Sequence, residues 1–303
     1  MLDVARINAE YDRAIADYTQ AVTLNPRYAW AYGNRGAALY SKQEFDAAIR
    51  DFTRAIGENG KEASFWRMRG DAHFEKGKRR QAEVGANAAV ALDNEDFRKA
   101  LADLSQAIAL DPQGARAYNN RGLVYDRLEQ YDKALADFSK AIERDPKSSH
   151  GWSNRGAVYL ARKQYDQVIS DFTEAIRLDP RNASAYNNRA IVYLQQKDYQ
   201  RAVSDYDTAI RLAPGDPIPY ANRSIAYRML GDYNRALSDA NSALGIEPES
   251  ISGLLNRGLA WQAKGNAQKA RSDFEAVMRI TPKSTDDAAR RAHARDLLET
   301  LSR

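Results

Sequence analysis

Six prolines, Pro112, Pro146, Pro180, Pro214, Pro248 and Pro282, fall 34 residues apart. A period of that length means one supersecondary unit repeated along the chain, with neighbouring units burying their apolar faces on each other. Pro26 leads the series but stands 86 residues before Pro112, two periods plus 18. The stretch YNNRGLVYDRLEQYDKALADFSKAIERDP (118–146) shows what repeats. Tyr118, Tyr125 and Tyr131 surround a small Gly122, and Ala134, Phe138 and Ala141 follow three or four apart, which is one face of a helix. Each unit therefore reads as two helices. The proline ends the second, because it has no N–H to continue the ladder.

Two slots recur with the period. The first helix carries Gly36, Gly70, Gly122, Gly156, Ala190, Ser224 and Gly258, and the second carries Ala14, Ala48, Ala100, Ala134, Ala202, Ala236 and Ala270, with Val168 the exception. Glycine inside a helix costs about 1 kcal/mol against alanine, so its return implies a close helix approach. The 303 residues contain no cysteine, which excludes disulfides, thiolate metal sites and thiol nucleophiles. A formal charge of +4 argues against a dedicated nucleic-acid surface. No apolar run approaches the ~20 residues of a membrane helix. The charged start MLDVARINAEYDRAIADY lacks the apolar core of a signal peptide. A cytoplasmic location is the expectation, provided residue 1 is the native start. The sequence contains no phosphate loop, paired catalytic carboxylates or nucleophile motif. His73, His150 and His293 are too far apart to suggest a metal site. The expectation is a non-enzyme without cofactor or metal.

At the residues just named the chain resembles the tetratricopeptide repeat (TPR) family over nearly its whole length. One departure is consistent: Arg stands where the family usually has Leu, just before the small residue. The resemblance implies an all-α TPR solenoid, a right-handed superhelix of about eight helical hairpins with each first helix lining a concave face. The expected organisation is an N-terminal block over 1–62 with a truncated first repeat, an irregular repeat over 63–114, and five regular repeats over 115–284. A capping helix then closes the array over 285–303. Arg290, Arg295, Asp296 and Glu299 give this last helix the polar outer face that a cap needs.

The recurrent Arg has a candidate partner. Each second-helix Asp is followed 18 residues later by an Arg: Asp17–Arg35, Asp51–Arg69, Asp103–Arg121, Asp137–Arg155, Asp171–Arg189, Asp205–Arg223, Asp239–Arg257 and Asp273–Arg291. Pairing within one repeat leaves Asp17 and Arg291 alone and sets Arg69 against Gly85. The expectation is therefore a clip from the second helix of one unit to the first helix of the next. The alternative is two solvated charges copied by duplication, worth about 0–1 kcal/mol.

Residues 63–112 break the rhythm. KGKRRQAEVGANAAVALD (76–93) and NEDFRKALADLSQAIALD (94–111) both read as second helices, either fused or separated by a joint, with Asn94 a candidate N-cap. KGKRR at 76–80 reads most simply as a solvated turn, the other reading being a nucleic-acid contact. At the N-terminus, about nine residues precede Glu10, too few for a full first helix. Leu2, Val4 and Ile7 there leave self-association through the N-terminal edge open.

Asn34, Asn120, Asn154, Asn188, Asn222 and Asn256 precede the repeated Arg, with Met68 as the interruption. Asparagine inside a helix is disfavoured by roughly 0.5 kcal/mol relative to Ala. The resemblance places this slot on the concave face, where it is similar to the asparagine ladder in the TPR superhelix of protein O-GlcNAc transferase. Carboxamides donate and accept, so they suit a peptide backbone whatever its side chains. A structural bond to a neighbouring helix is the other reading. Three residues on, Leu123, Ala157, Ile191, Ile225 and Leu259 form an apolar stripe, groove lining or ordinary core. Arg67, Arg116 and Arg127, near Asp71, Glu75 and Asp126, form an incomplete version of the clamp with which other TPR proteins hold a partner's C-terminal carboxylate. Trp66, Trp152, Tyr186 and Tyr220 share a packing slot that Trp30 does not. The function this points to is a non-catalytic scaffold binding an extended segment of a protein partner in a concave groove. The alternatives are the targeting array of a larger enzyme and, against the weak charge, an RNA-binding helical repeat.

Overall fold

A computed structural model describes residues 4–84 and 95–301. The described residues form helices and no strand. By its contacts the chain divides into two units, Met1–Val158 and Tyr159–Arg303.

The first unit holds α1 (Val4–Leu24), α2 (Ala29–Ser41), α3 (Phe45–Glu58), α4 (Ala63–Val84), α5 (Glu95–Leu110), α6 (Ala115–Arg127), α7 (Tyr131–Arg144) and most of α8 (Ser149–Ala161). The hairpins are α2–α3, α4–α5 and α6–α7, and each first helix also packs on the helix before its hairpin. The second unit holds the end of α8, then α9 (Tyr165–Leu178), α10 (Ala183–Gln195), α11 (Tyr199–Leu212), α12 (Pro217–Met229), α13 (Tyr233–Ile246), α14 (Ile251–Ala263), α15 (Ala267–Arg279) and α16 (Thr285–Thr300). Here α10–α11, α12–α13 and α14–α15 are the hairpins, α9 packs on α10, and α16 closes on α14 and α15.

A ring on the second helix explains the small slot in three hairpins. Phe52, Phe138 and Phe274 are fully buried on the second helices. A Cβ added at Gly36, Gly122 or Gly258 would lie 2.8, 2.7 or 2.4 Å from those rings. Where the slot carries the larger Ser224, the ring position holds Ala240 instead. In three first helices the opening aromatic leans back on the preceding turn: Trp66 Nε1 donates to the Gly60 carbonyl, Trp152 Nε1 to the Pro146 carbonyl and the Tyr220 hydroxyl to the Pro214 carbonyl. Side-chain caps start α11, α13 and α15, where Asp198, Asp232 and Asn266 accept from the N–H three residues on.

The recurrent Arg does not take the partner its spacing suggested. Arg35, Arg121, Arg189, Arg223 and Arg257 each grip the Asp 16 residues later, on the second helix of their own hairpin. The fork is bidentate: Arg189 Nε donates to Asp205 Oδ2 at 2.7 Å and Nη2 to Oδ1 at 2.8 Å. The remaining nitrogen does reach the preceding helix, but two residues beyond the Asp. Nη1 of Arg35, Arg69, Arg121, Arg155, Arg189 and Arg257 donates to Thr19, Thr53, Ser105, Ser139, Thr173 and Asn241, and that of Arg223 to Asp207. A planar five-donor group can hold two helices at once, which an ammonium cannot do with fixed geometry. Asp17 is left exposed. Arg291 donates to the Met278 carbonyl instead of meeting Asp273, which Arg257 holds.

The irregular repeat is corrected by the same contact. Arg69 reaches Asp103, 34 residues on, with donor distances of 2.8 and 2.7 Å. Thus α4 is a first helix and α5 its second, and the additional residues lie between them. Residues 76–84 continue α4 for two more turns and do not begin a second helix. KGKRR is helical, not a turn: Lys76 bonds Asp46, Lys78 bonds Glu75, and Arg79 lies over the Phe45 ring. The candidate cap Asn94 and a joint over 85–94 fall outside the described residues.

In α16, Ala294 is buried and Leu297 and Leu298 pack on the cluster around Leu254, Leu255 and Phe274. Arg295, Asp296 and Glu299 face solvent. A closing helix is therefore present at the end of the array.

Candidate functional site

The first helices place their asparagines and the following apolar residues in equivalent positions, and neighbouring first helices touch within each unit. Positions i, i+3, i+4 and i+7 share a helix face, so the Asn slot and the residue three beyond it point the same way. The two units use this face differently.

In the first unit the amides satisfy one another. Asn154 Nδ2 donates to Asn119 Oδ1 (2.9 Å), Asn119 Nδ2 to Asn120 Oδ1 (3.1 Å), and Asn120 Nδ2 to Asp71 Oδ1 (2.7 Å). Arg67 closes the relay on Asp71 Oδ2 at 2.8 Å. Burial pushes the Asp71 carboxyl up to about 6, against the opposing pull of Arg67 and Asn120. Met68, where the Asn slot is interrupted, packs on Phe65 and Phe52. Asn34 is exposed. Leu123 packs against Phe138 and Val158 and is half-buried.

The three clamp arginines do not converge as free cations. Arg67 is committed to Asp71 and Arg127 donates to Gln81. Arg116 is exposed at a cleft of about 620 Å³ lined also by Asn119, Asn120, Lys147 and His150. Trp30 stands on Phe65 edge-on, ring centroids 4.9 Å apart, and keeps 46% of its surface exposed.

In the second unit the same slots do not form such a relay. Asn188 Oδ1 accepts from Asn187 Nδ2 (3.2 Å), while the buried Oδ1 of Asn187 meets no donor among the described residues. Asn222 is half-buried. Asn256 is buried and donates to the Ala221 carbonyl of the preceding first helix at 2.9 Å, a packing bond. Ile191 and Leu194 rest on the Tyr193–Tyr206 cluster and Leu259 on the Phe274 cluster, each with one side outside the core. Ile225 is half-buried. Beside it Ile218 and Met229 are 56% and 47% exposed, so α12 carries the stripe Ile218–Asn222–Ile225–Met229. Sequence reasoning passed over Ile218, Met229 and Arg228. The signal that could have found them was a position-by-position comparison of the first-helix slots, in which these residue types appear once.

Among the described residues no group of His, Asp and Glu is arranged to hold a metal ion, and no helix is long and apolar enough to cross a membrane.

Tetratricopeptide repeat patterns match residues 115–148, 34–83 and 153–217, and a further TPR repeat pattern matches 7–43 and 91–128. No curated protein sequence matches the chain. Among solved structures, the APC/C hetero-tetramer Cut9–Hcn1 superposes with a TM-score of 0.67 at 16% identity, covering 97% of this chain and 53% of that one. This chain thus spans about half the length of that relative. A tetratricopeptide repeat protein from Parabacteroides merdae gives 0.59 at 18% identity, covering 91% and 99%. YrrB, a TPR protein with an unusual peptide-binding site, gives 0.53 at 21%, covering 71% and 97%. Paired helices in a 34-residue register, second-helix rings set on small first-helix residues, and repeat patterns over most of the length make this chain a member of the tetratricopeptide repeat family, a family of generally non-catalytic scaffolds for protein–protein interaction.

Proposed function

We propose that the first-helix face binds an extended segment of a partner protein, with asparagines bonding its backbone and the apolar stripe covering its side chains. In the second unit the binding residues are Asn188, Asn222, Ile191, Ile225 and the open side of Leu259. In the first unit they are Asn34, Asn120, Asn154 and Leu123, where Asn120 and Asn154 exchange their mutual relay for bonds to the segment. Asn256 holds the register from beneath. A preformed surface of many small contacts needs little ordering on the protein's side.

The observation that carries the reading is Asn222. It sits mid-helix, where Asn is disfavoured, and among the described residues it makes no hydrogen bond that would explain its presence. The likeness to YrrB, itself a protein with a peptide-binding site, adds support.

The test is Asn188→Ala with Asn222→Ala in the full chain, measured against immobilised degenerate nonapeptides. The reading expects at least a tenfold loss of retained peptide, with far-UV circular dichroism and melting temperature near wild type. Equal retention by the double variant removes the asparagines from the site. A collapsed fold makes them structural.

A further inference from the structure

We infer that the face formed by α10 and α12 selects a segment with one acidic side chain set among aliphatic ones, and that Arg228 is the partner of that carboxylate. This rests on the groove reading above and specifies its ligand.

Arg228 differs from the other half-buried arginines of this unit, of which Arg271 and Arg291 lack a carboxylate but donate to the Leu301 and Met278 carbonyls. Arg189, Arg223 and Arg257, all largely buried, are each forked onto an Asp. Arg201 and Arg235, largely exposed, pair with Asp198 and Asp232. Arg228 is half-buried, yet no carboxylate lies within ion-pair distance of it among the described residues. Its surroundings supply the phenols of Tyr233 and Tyr199, which open α13 and α11. The acids immediately before those tyrosines, Asp232 and Asp198, are already turned to Arg235 and Arg201. Burial pulls the Arg228 guanidinium below its usual value, and the two phenols only oppose this. A partly desolvated cation without a counter-charge is destabilising in the free protein. An incoming carboxylate would relieve it.

The neighbours set the rest of the ligand. Ile225, Arg228 and Met229 are spaced three and four apart on α12, one face of the helix. The slot of Arg228 holds Leu194 in α10 and Gln262 in α14, so the cation has no second cation beside it in its row. A nucleic-acid backbone presents a charge at every nucleotide and needs several cations in line. One charge flanked by Ile191, Leu194, Ile225 and Met229 fits a single Asp or Glu between aliphatic residues.

The probe is a pair of fluorescein-labelled degenerate nonapeptides, Glu or Gln at the centre, with mixed Leu, Ile, Val, Ala and Ser around it. Binding is read by anisotropy with the full chain. The inference expects the Glu pool to bind about tenfold tighter than the Gln pool, and Arg228→Gln to erase the difference while leaving Gln-pool binding unchanged. Arg228→Met should raise the melting temperature of the free protein, because it removes an uncompensated charge. If both pools bind equally to wild type, or the preference survives Arg228→Gln, the acidic partner is refuted and the groove reading stands. If neither pool binds, both fall. A lower melting temperature for Arg228→Met makes the residue structural and overturns the inference. So does self-association of the wild type in sedimentation that Arg228→Gln abolishes, since the occupant is then a second copy.

Discussion

Arg189 and Asp205 offer a measurable test of how hairpins are held. The fork bonds are 2.7 and 2.8 Å, and the two side chains keep only 15% and 10% of their surface. Arg189→Met leaves the Asp205 carboxylate buried without its counter-charge, which typically costs about 3–5 kcal/mol. Asp205→Ala strands the guanidinium, though the Thr173 bond and the Tyr186 and Tyr193 rings, both about 6 Å from it, soften the loss. These lesser contacts are lost in the Arg189 variant with or without Asp205, so they cancel in a double-mutant cycle. Once one partner is gone, losing the second costs little, and the coupling should be about 2–3 kcal/mol. Urea unfolding of the four proteins, followed by far-UV circular dichroism, gives the number. The cycle with Asp171, 18 residues before Arg189, should give less than about 0.5 kcal/mol. Strong coupling to Asp171 and none to Asp205 would refute the intra-hairpin fork.

Other outcomes follow from single contacts. Gly258→Ala gains helix propensity but drives its Cβ into the Phe274 ring, and should lose about 1–3 kcal/mol. Gly245→Ala, with nothing within 4 Å, should gain up to about 1 kcal/mol. Equal effects at the two sites in thermal melts would contradict the ring-on-glycine account. Asp71 has its folded carboxyl raised from 3.8 to about 6, so the protonated form is favoured by folding. That contribution is fully present below pH 3.8 and is lost as pH rises through about 6, amounting to at most about 3 kcal/mol. Asp71→Asn, which can still accept from Asn120, should therefore gain stability relative to wild type between about pH 4 and pH 8. A constant difference across that range would show that Asp71 titrates normally.

The period and the small slots made the hairpins readable, because each slot answers a steric demand. Gly122 is small because Phe138 lies on it. The direction of the Arg–Asp contact was not readable from the regular repeats. An Arg 16 residues before one Asp is also 18 residues after another, and the two offsets make up one 34-residue period. Only an interruption can separate them. The interruption at 76–93 was read as a second helix, whereas α4 runs through to Val84, and with α5 restored to its place Arg69 meets Asp103. The Ser, Thr, Asp or Asn two residues past every Asp of the series but Asp273 was visible in the sequence, but its use as the Arg's third acceptor depends on side-chain direction. The asparagine positions were also visible. Their differing bonds were not, since Asn256 is taken by the Ala221 carbonyl and Asn154 by Asn119 through local packing.

Photo-crosslinking tests the central claim most directly. A benzoylphenylalanine is placed at Ile225 on the first-helix face, or at the exposed Ser238 on the second helix of the same hairpin. Each protein is irradiated with the Glu-centred nonapeptide pool. The account predicts adducts at 225 that unlabelled pool competes away, and background labelling at 238. Competed adducts at 238 with none at 225 would place the binding surface on the second helices and contradict it.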